Sequence, residues 1–352
     1  MADWTASMQQ TFEYYIVDPG TWKDRKRIDT IKTCTISRDS ESETLGSATF
    51  TIDESLGECY LRAYLITIQN GVREKHPLGT YIVQTPSSVF NGKVKDVTMD
   101  AYTPLLELKE NPPPYGFSIL AGDKIMDRAY ELTQDHVRAP VIRTESDTCI
   151  QYDYVSDAED TWLTFLSDFI LNANYSFALD EMGRILFSPK QDTASLQPIW
   201  TYTDDNSSIL QPGITVDHDI YGLPNVVEVI YSNGNEFHQI QVENNDPNSP
   251  ISTVNRGRRI THRVNNPEIG GNPTEAQLKE YAEQTLRDMS SVEYTVTYTH
   301  GYCPVRIGDC VRLNCVGAGL KDVKARVISQ SITCETSCQV SETAVYNVKL
   351  WG

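Results

Sequence analysis

The chain has 352 residues, 39% of them hydrophobic, and 30 Lys and Arg against 48 Asp and Glu give it a net charge of −18. That length can hold two or three domains with a sizeable core, and 19 Tyr with 9 Phe suits a globular, β-rich protein rather than a disordered one. So acidic a chain argues against a surface built to grip nucleic-acid phosphates, and no apolar run approaches the roughly 20 residues that would cross a bilayer.

The N-terminus, MADWTASMQQTFEYYIVDPG, lacks the basic start and apolar core of a signal peptide, so folding in the cytoplasm is expected. Six strands are predicted before residue 104: Phe12 to Val17, Ile31 to Ser37, Ser47 to Ile52, Cys59 to Gln69, Gly79 to Thr85 and Val94 to Tyr102. Turn clusters such as Asp18-Pro19-Gly20 and Asn91-Gly92 part them, a spacing that suits a barrel or sandwich.

At Asn111-Pro112-Pro113-Pro114 three prolines force an extended segment, and the composition changes to that of an α+β domain. Asp123 is placed to cap a helix through His136. A second helix starts near Asp160, with Trp162, Phe165, Leu166, Phe169 and Ile170 on one stripe. A hairpin follows, Tyr175 to Leu179 and Arg184 to Phe187, joined at Asp180-Glu181-Met182-Gly183.

Strands return from about Ile199, including Val226 to Tyr231 and Phe237 to Val242. A third helix is opened by Thr274, with Gln277 completing a capping box. It leads into the clearest strand pattern in the chain, Ser291 to Asn314. There Val292, Tyr294, Val296 and Tyr298 alternate with Glu293, Thr295, Thr297 and Thr299, and a hairpin turning at Pro304 to Gly308 is predicted. Lys324 to Cys334 and Ala344 to Leu350 supply the last strands. The expected fold class is mainly β (α+β). A barrel occupies 1–104 and a small α+β domain 105–198; a second barrel is formed by 199–245 and 291–352, interrupted by a helical insertion at 246–290.

No phosphate loop, H-E-x-x-H, G-x-S-x-G or zinc-finger spacing occurs, and no cofactor is expected. The six histidines, His76, His136, His218, His238, His262 and His300, are scattered and read as structural or surface residues. Asp217 and Asp219 flank His218, which would favour its charged form. Five cysteines crowd the last 50 residues. A thiolate metal site could draw on Cys310, Cys315, Cys334 and Cys338, but strand cysteines, Cys303 included, more often pack as small apolar residues. Between Thr144 and Ile220 fourteen acidic residues face Arg184 and Lys190 alone, a solvated acidic face or the carboxylates of a glycan hydrolase. Arg256, Arg258 and Arg259 form a basic cluster, read as an assembly contact.

Four stretches, in this order, resemble the baseplate hub proteins of phage tails and related contractile injection systems. They are Leu78-Gly-Thr-Tyr-Ile-Val83 with Val97-Thr-Met-Asp-Ala-Tyr102; Thr161 to Leu171 with Asp180 to Phe187; Tyr221 to Val227 with Val264-Asn-Asn-Pro267; and Pro304-Val-Arg-Ile-Gly-Asp-Cys-Val311. The resemblance implies that the two barrels are tube-like and that 105–198 is a lateral domain. It further implies a homotrimer forming a pseudo-sixfold ring between a hexameric tail tube and a trimeric spike. The implied partners are a tail-tube or tube-initiator protein, a spike or needle protein and a tape-measure protein. DNA would transit the lumen without stable binding, in a virion baseplate assembled in the host cytoplasm. Some hub relatives continue into a cell-wall peptidase, whereas this sequence stops at Leu350-Trp351-Gly352, more typical of contractile tails. Pro304, Gly308 and Asp309 join the three arginines as assembly candidates. A glycan hydrolase and a glycan-binding tail-tip adhesin are the alternatives.

Overall fold

A computed structural model describes residues 2–53, 56–90, 92, 95–205, 208–234, 236–269 and 273–351. Asn91 of the predicted turn and Val94 of the predicted strand lie outside them. The chain divides into two compact units, Met1–Ile214 with Thr297–Ala344, and Thr215–Val296 with Val345–Gly352.

The first unit opens with β1 (Gln9–Val17), β2 (Asp24–Ile28), β3 (Ile31–Asp39), β4 (Gly46–Ile52), β5 (Cys59–Gln69), β6 (Val72–Phe90) and β7 (Lys95–Tyr102). They pair antiparallel in the order β3-β4-β7-β6-β5-β1-β2. Alternation explains β4, which buries Gly46, Ala48, Phe50 and Ile52 and turns Thr49 outward. β5 is buried from Tyr60 to Thr67 on both faces, as a central strand should be. β6 exceeds its predicted span because it serves two neighbours, β5 over Val72–Val83 and β7 over Ile82–Phe90. A bulge at Leu78 breaks its ladder with β5. β2 was not predicted: its sequence, DRKRI, is nearly all charged and buries only Ile28.

The next elements are α1 (Leu106–Lys109), β8 (Ser118–Ile119), α2 (Ile125–His136), β9 (Tyr154–Val155), α3 (Trp162–Leu171), β10 (Tyr175–Leu179) and β11 (Ile185–Pro189). Thr161 caps α3 and Thr164 closes the capping box, while Trp162, Phe165, Leu166, Phe169 and Ile170 are buried on the predicted stripe. Asp123 does not cap α2. Lys124 holds that position without a side-chain bond, and Asp123 instead lies 3.9 Å from Arg128. The core of this region also takes in Val17, Trp22, Tyr60 and Ile82 from the first strands.

Then come β12 (Trp200–Thr203), β13 (Thr215–His218), β14 (Val226–Ser232), β15 (Phe237–Glu243), α4 (Thr253–Arg256), β16 (Thr261–Asn265), α5 (Glu275–Met289), β17 (Ser291–Gly301), β18 (Cys310–Cys315), β19 (Leu320–Thr333) and β20 (Gln339–Lys349). The predicted hairpin at Ser291 to Asn314 does not form. β17 lies between β13 and β20, whereas β18 pairs with β12 and β19. The connection fails to fold back because its own backbone is bound elsewhere. Tyr302 N–H donates to Cys338, Gly308 N–H to Val327, and Val327 N–H returns to Asp309.

β19 pairs antiparallel with β3, Ser329 to Thr333 against Asp39 to Thr35. Across this seam Ile36, Cys34 and Phe50 share one core with Ile332, Cys334, Cys338 and Val340. The two expected barrels are therefore one 13-stranded sheet, and no closed barrel is formed among the described residues. The mainly β, α+β class holds.

In the second unit β14 pairs antiparallel with β15 and parallel with β16, a three-stranded sheet of its own. Val227, Val229, Tyr231 and Val242 meet Leu278, Ala282 and Leu286 of α5, so β14 and β15, expected in a second barrel, belong with the helix that covers them. Thr274 and Gln277 form the predicted capping box.

Candidate assembly interface

The tip of the β10–β11 hairpin is tied to the first strands at several points. Asp180 and Arg184 close it through backbone and side-chain bonds, and Gly183 takes φ +72°, which a glycine tolerates without a Cβ clash. The turn presents the Met182 carbonyl to three donors: Trp22 Nε1 at 2.7 Å, Thr80 Oγ1 at 3.0 Å and Arg62 at 3.1 Å. Arg62 is 1% exposed. Its remaining N–H groups reach Thr80 at 2.7 Å and Asp24 at 2.9 Å, so the buried charge is paired and its donors are used. Trp22 itself adopts φ +56°, a strained conformation for a bulky residue, held by the turn from Asp18 and by the hairpin tip. Arg306, in the loop before β18, pairs with Glu181 on the same tip. A small cleft runs beside it, lined by Arg38, Tyr81, Asp180, Glu181 and Arg306 among others. Asp180 and Glu181 are the two acids of the 144–220 stretch in that cleft. Each is taken by an arginine, which leaves neither placed as a glycosidase general acid.

A second buried network crosses the β3–β19 seam. Arg38 donates to the Leu78 carbonyl exposed by the β6 bulge at 2.7 Å and to Gln330 at 3.0 Å; Gln330 donates to Glu342 at 2.7 Å. Glu342 accepts from the Tyr298 and Tyr202 hydroxyls and lies 3.5 Å from His300 Nε2. Burial alone would push His300 down, but hydrogen bonding with Cys303 and Glu342 and the Glu342 charge outweigh it, raising His300 to about 10. Cys303, His300 and Glu342 thus stand together as a nucleophile, base and acid would. All three are buried, Cys303 at 2% and the other two at 0%, so the group sits inside the sheet rather than in a cleft.

The thiols considered as a metal set do not converge. Cys310 and Cys315 sit at opposite ends of β18, five strand steps or about 17 Å apart, while Cys334 and Cys338 lie with Cys34 in the seam core. Among the described residues no group of three or more His, Cys, Asp or Glu is arranged to hold a metal ion.

The assembly candidates are used unequally. Arg256 donates to the carbonyls of Leu223 and Ile220, and Arg259 pairs with Glu243, so both hold their own loop. Arg258 is exposed. Pro304 and Gly308 are exposed, and Asp309, whose carboxyl burial pushes above the usual range, accepts the Arg306 N–H. Of the six histidines, His218 stacks on Tyr294 with ring centroids 4.3 Å apart. Surfaces not anticipated from the sequence include Val89 and Phe90, both more than 60% exposed at the far end of β6, and Tyr115, Leu120, Tyr152 and Val155 around β8 and β9. Nor was the basic run Lys23 to Arg27, although four cations in five residues of so acidic a chain is a signal legible in the sequence.

No protein-family model matches the sequence, and no curated protein does. Solved structures do match. A tail protein from Neisseria meningitidis MC58 superposes with a TM-score of 0.62 at 14% identity, over 96% of this chain and 97% of that one. The 43 kDa tail protein of prophage MuSo2 from Shewanella oneidensis gives 0.61 at 12%, over 98% and 99%. The fold is that of phage tail proteins. An E. coli type VI secretion component, described as similar to the bacteriophage T4 tail proteins gp27 and gp5, gives 0.50 at 8%, over 92% and 75%.

Proposed function

We propose that the protein is a structural baseplate hub of a phage tail or contractile injection system. Three copies form a pseudo-sixfold ring that joins a hexameric tube to a trimeric spike and leaves a channel for DNA or effector. The observation that carries this reading is the end-to-end agreement with two tail proteins, over nearly the whole length of both chains in each pair. Further support comes from the sheet. Each copy contributes two strand sets fused at the β3–β19 seam, so three copies offer six sets to a sixfold neighbour. The Francisella PdpA–VgrG complex and the E. coli secretion component, both of this fold, point to spike-type partners. Tube, spike and tape-measure contacts would draw on Arg258, the Pro304 to Asp309 loop and the exposed apolar tips at Phe90 and Tyr152. The role is structural rather than enzymatic, and the place of action is the virion.

A net charge of −18 fits a conduit, because an acidic lumen repels DNA phosphates instead of holding them. The test is particle mass in dilute solution together with class averages. A species of about three times 39.7 kDa with threefold symmetry is expected. A monomer at every concentration, with or without a spike partner, overturns the proposal. Turnover of peptidoglycan by the purified protein would favour the hydrolase instead.

A further inference from the structure

We infer that the ring is closed by pairing between two oppositely charged sheet edges, β2 of one copy against β13 of the next. The inference rests on the hub reading and names its subunit contact.

β2 is an end strand: β1 pairs with one side of it, and no described strand pairs with the other. Its run Lys23-Asp24-Arg25-Lys26-Arg27 is basic within an acidic protein. Asp24 is turned to Arg62, Tyr64 and Lys75, and Arg27 to Glu13 and Asp29. The side chains of Lys23, Arg25 and Lys26 are exposed and make no hydrogen bond or ion pair among the described residues.

β13 is the end strand at the other limit of the same strand order, paired with β17 on one side. Asp217 on β13 and Asp219 just past its end are exposed, on either side of His218, which stacks on Tyr294 of β17. An open edge offers unpaired N–H and C=O groups to another chain, and edge charges normally keep such groups from self-association. Here the charges differ in sign between the two ends. Like edges therefore repel, and unlike edges attract, which selects a head-to-tail contact over a two-fold one. A contact of this kind generates a ring when its rotation closes. With five residues in β2 and four in β13, the pairing sets register and partner choice, while the bulk of the roughly 800 Å² per partner of a stable interface comes from neighbouring surface.

Native mass spectrometry and analytical ultracentrifugation of the full chain test this at low and high salt. The wild type is expected to be trimeric, and more weakly so at 0.5 M salt. Arg25→Glu/Lys26→Glu should weaken the trimer at least tenfold, Asp217→Lys/Asp219→Lys likewise, and the four changes together should restore it. Far-UV circular dichroism and melting controls confirm that each variant is folded. In case a variant is not, carbodiimide cross-linking of mixed ¹⁵N- and ¹⁴N-labelled wild type reads the contact directly, through an intermolecular peptide joining Lys26 to Asp217 or Asp219. A trimer that survives both reversals, or that lacks that peptide, overturns the edge pairing and leaves the hub reading standing. A wild type monomeric at all concentrations overturns both.

Discussion

The Met182 carbonyl oxygen accepts the indole N–H of Trp22 at 2.7 Å, a contact that spans 160 residues of sequence. It holds the hairpin tip against β5 and β6, and Gly183 is what allows the tip to come so close. A Cβ built on Gly183 would lie 2.6 Å from the Thr80 Cβ, whereas one on Gly116, at nearly the same φ, meets nothing within 4 Å. Gly116→Ala is therefore expected to cost about 1 kcal/mol, the backbone penalty alone, and Gly183→Ala roughly 2–4 kcal/mol, because overpacking adds to it. Urea denaturation of the two variants gives the comparison; equal losses would show that the close approach is not sustained in solution.

Arg62 offers a second measurement of the same tie. Arg62→Met keeps most of the volume but removes the donors to Met182, Thr80 and Asp24. Asp24 retains Tyr64 at 2.8 Å and Lys75 at 3.2 Å, so the loss should fall near 2–4 kcal/mol, at or below the range for breaking a buried pair. Amide exchange should accelerate first around Asp180 to Arg184. Uniform acceleration across the protein would argue instead that Arg62 supports the whole sheet.

The His300–Glu342 pair makes stability fall on the alkaline side. His300 is held near 10 in the folded state against an ordinary value of 6.5. A group raised in this way contributes fully below about pH 6.5, and its contribution fades as the pH climbs through about 10. The melting temperature should therefore drop between pH 6.5 and 10, by an amount equivalent to on the order of a few kcal/mol. In His300→Gln/Glu342→Gln that slope should flatten, and at pH 6.5 the double variant should be more stable than His300→Gln alone, which strands a buried carboxylate. An unchanged slope would refute the assignment.

Thiol titration tests the division of the cysteines. Cys149 is exposed and Cys59 half-buried, while Cys34, Cys303, Cys310, Cys315, Cys334 and Cys338 are buried. Burial raises the Cys34 and Cys338 thiols well above their usual range, which suppresses the reactive thiolate. Ellman's reagent should release one equivalent quickly, a second slowly and the other six on unfolding. Zinc should leave the melting temperature unchanged; a clear rise would revive the thiolate site.

Local sequence determined much of this protein. Period-two runs located β3 and β4, the apolar stripe from Trp162 to Ile170 located α3, and Thr274 with Gln277 marked the start of α5, because each signal depends on neighbours within a turn or two. Tertiary structure alone decided the partners. That β17 and β18 part company depends on Tyr302 and Gly308 bonding to Cys338 and Val327, and that two expected barrels share a sheet depends on Ile36 meeting Ile332. β14 and β15 left the second barrel because α5, some thirty residues later, covers them. The basic edge at Lys23 to Arg27 was legible as charge but not as an edge, since a strand's free side exists only once every other strand has chosen its neighbour.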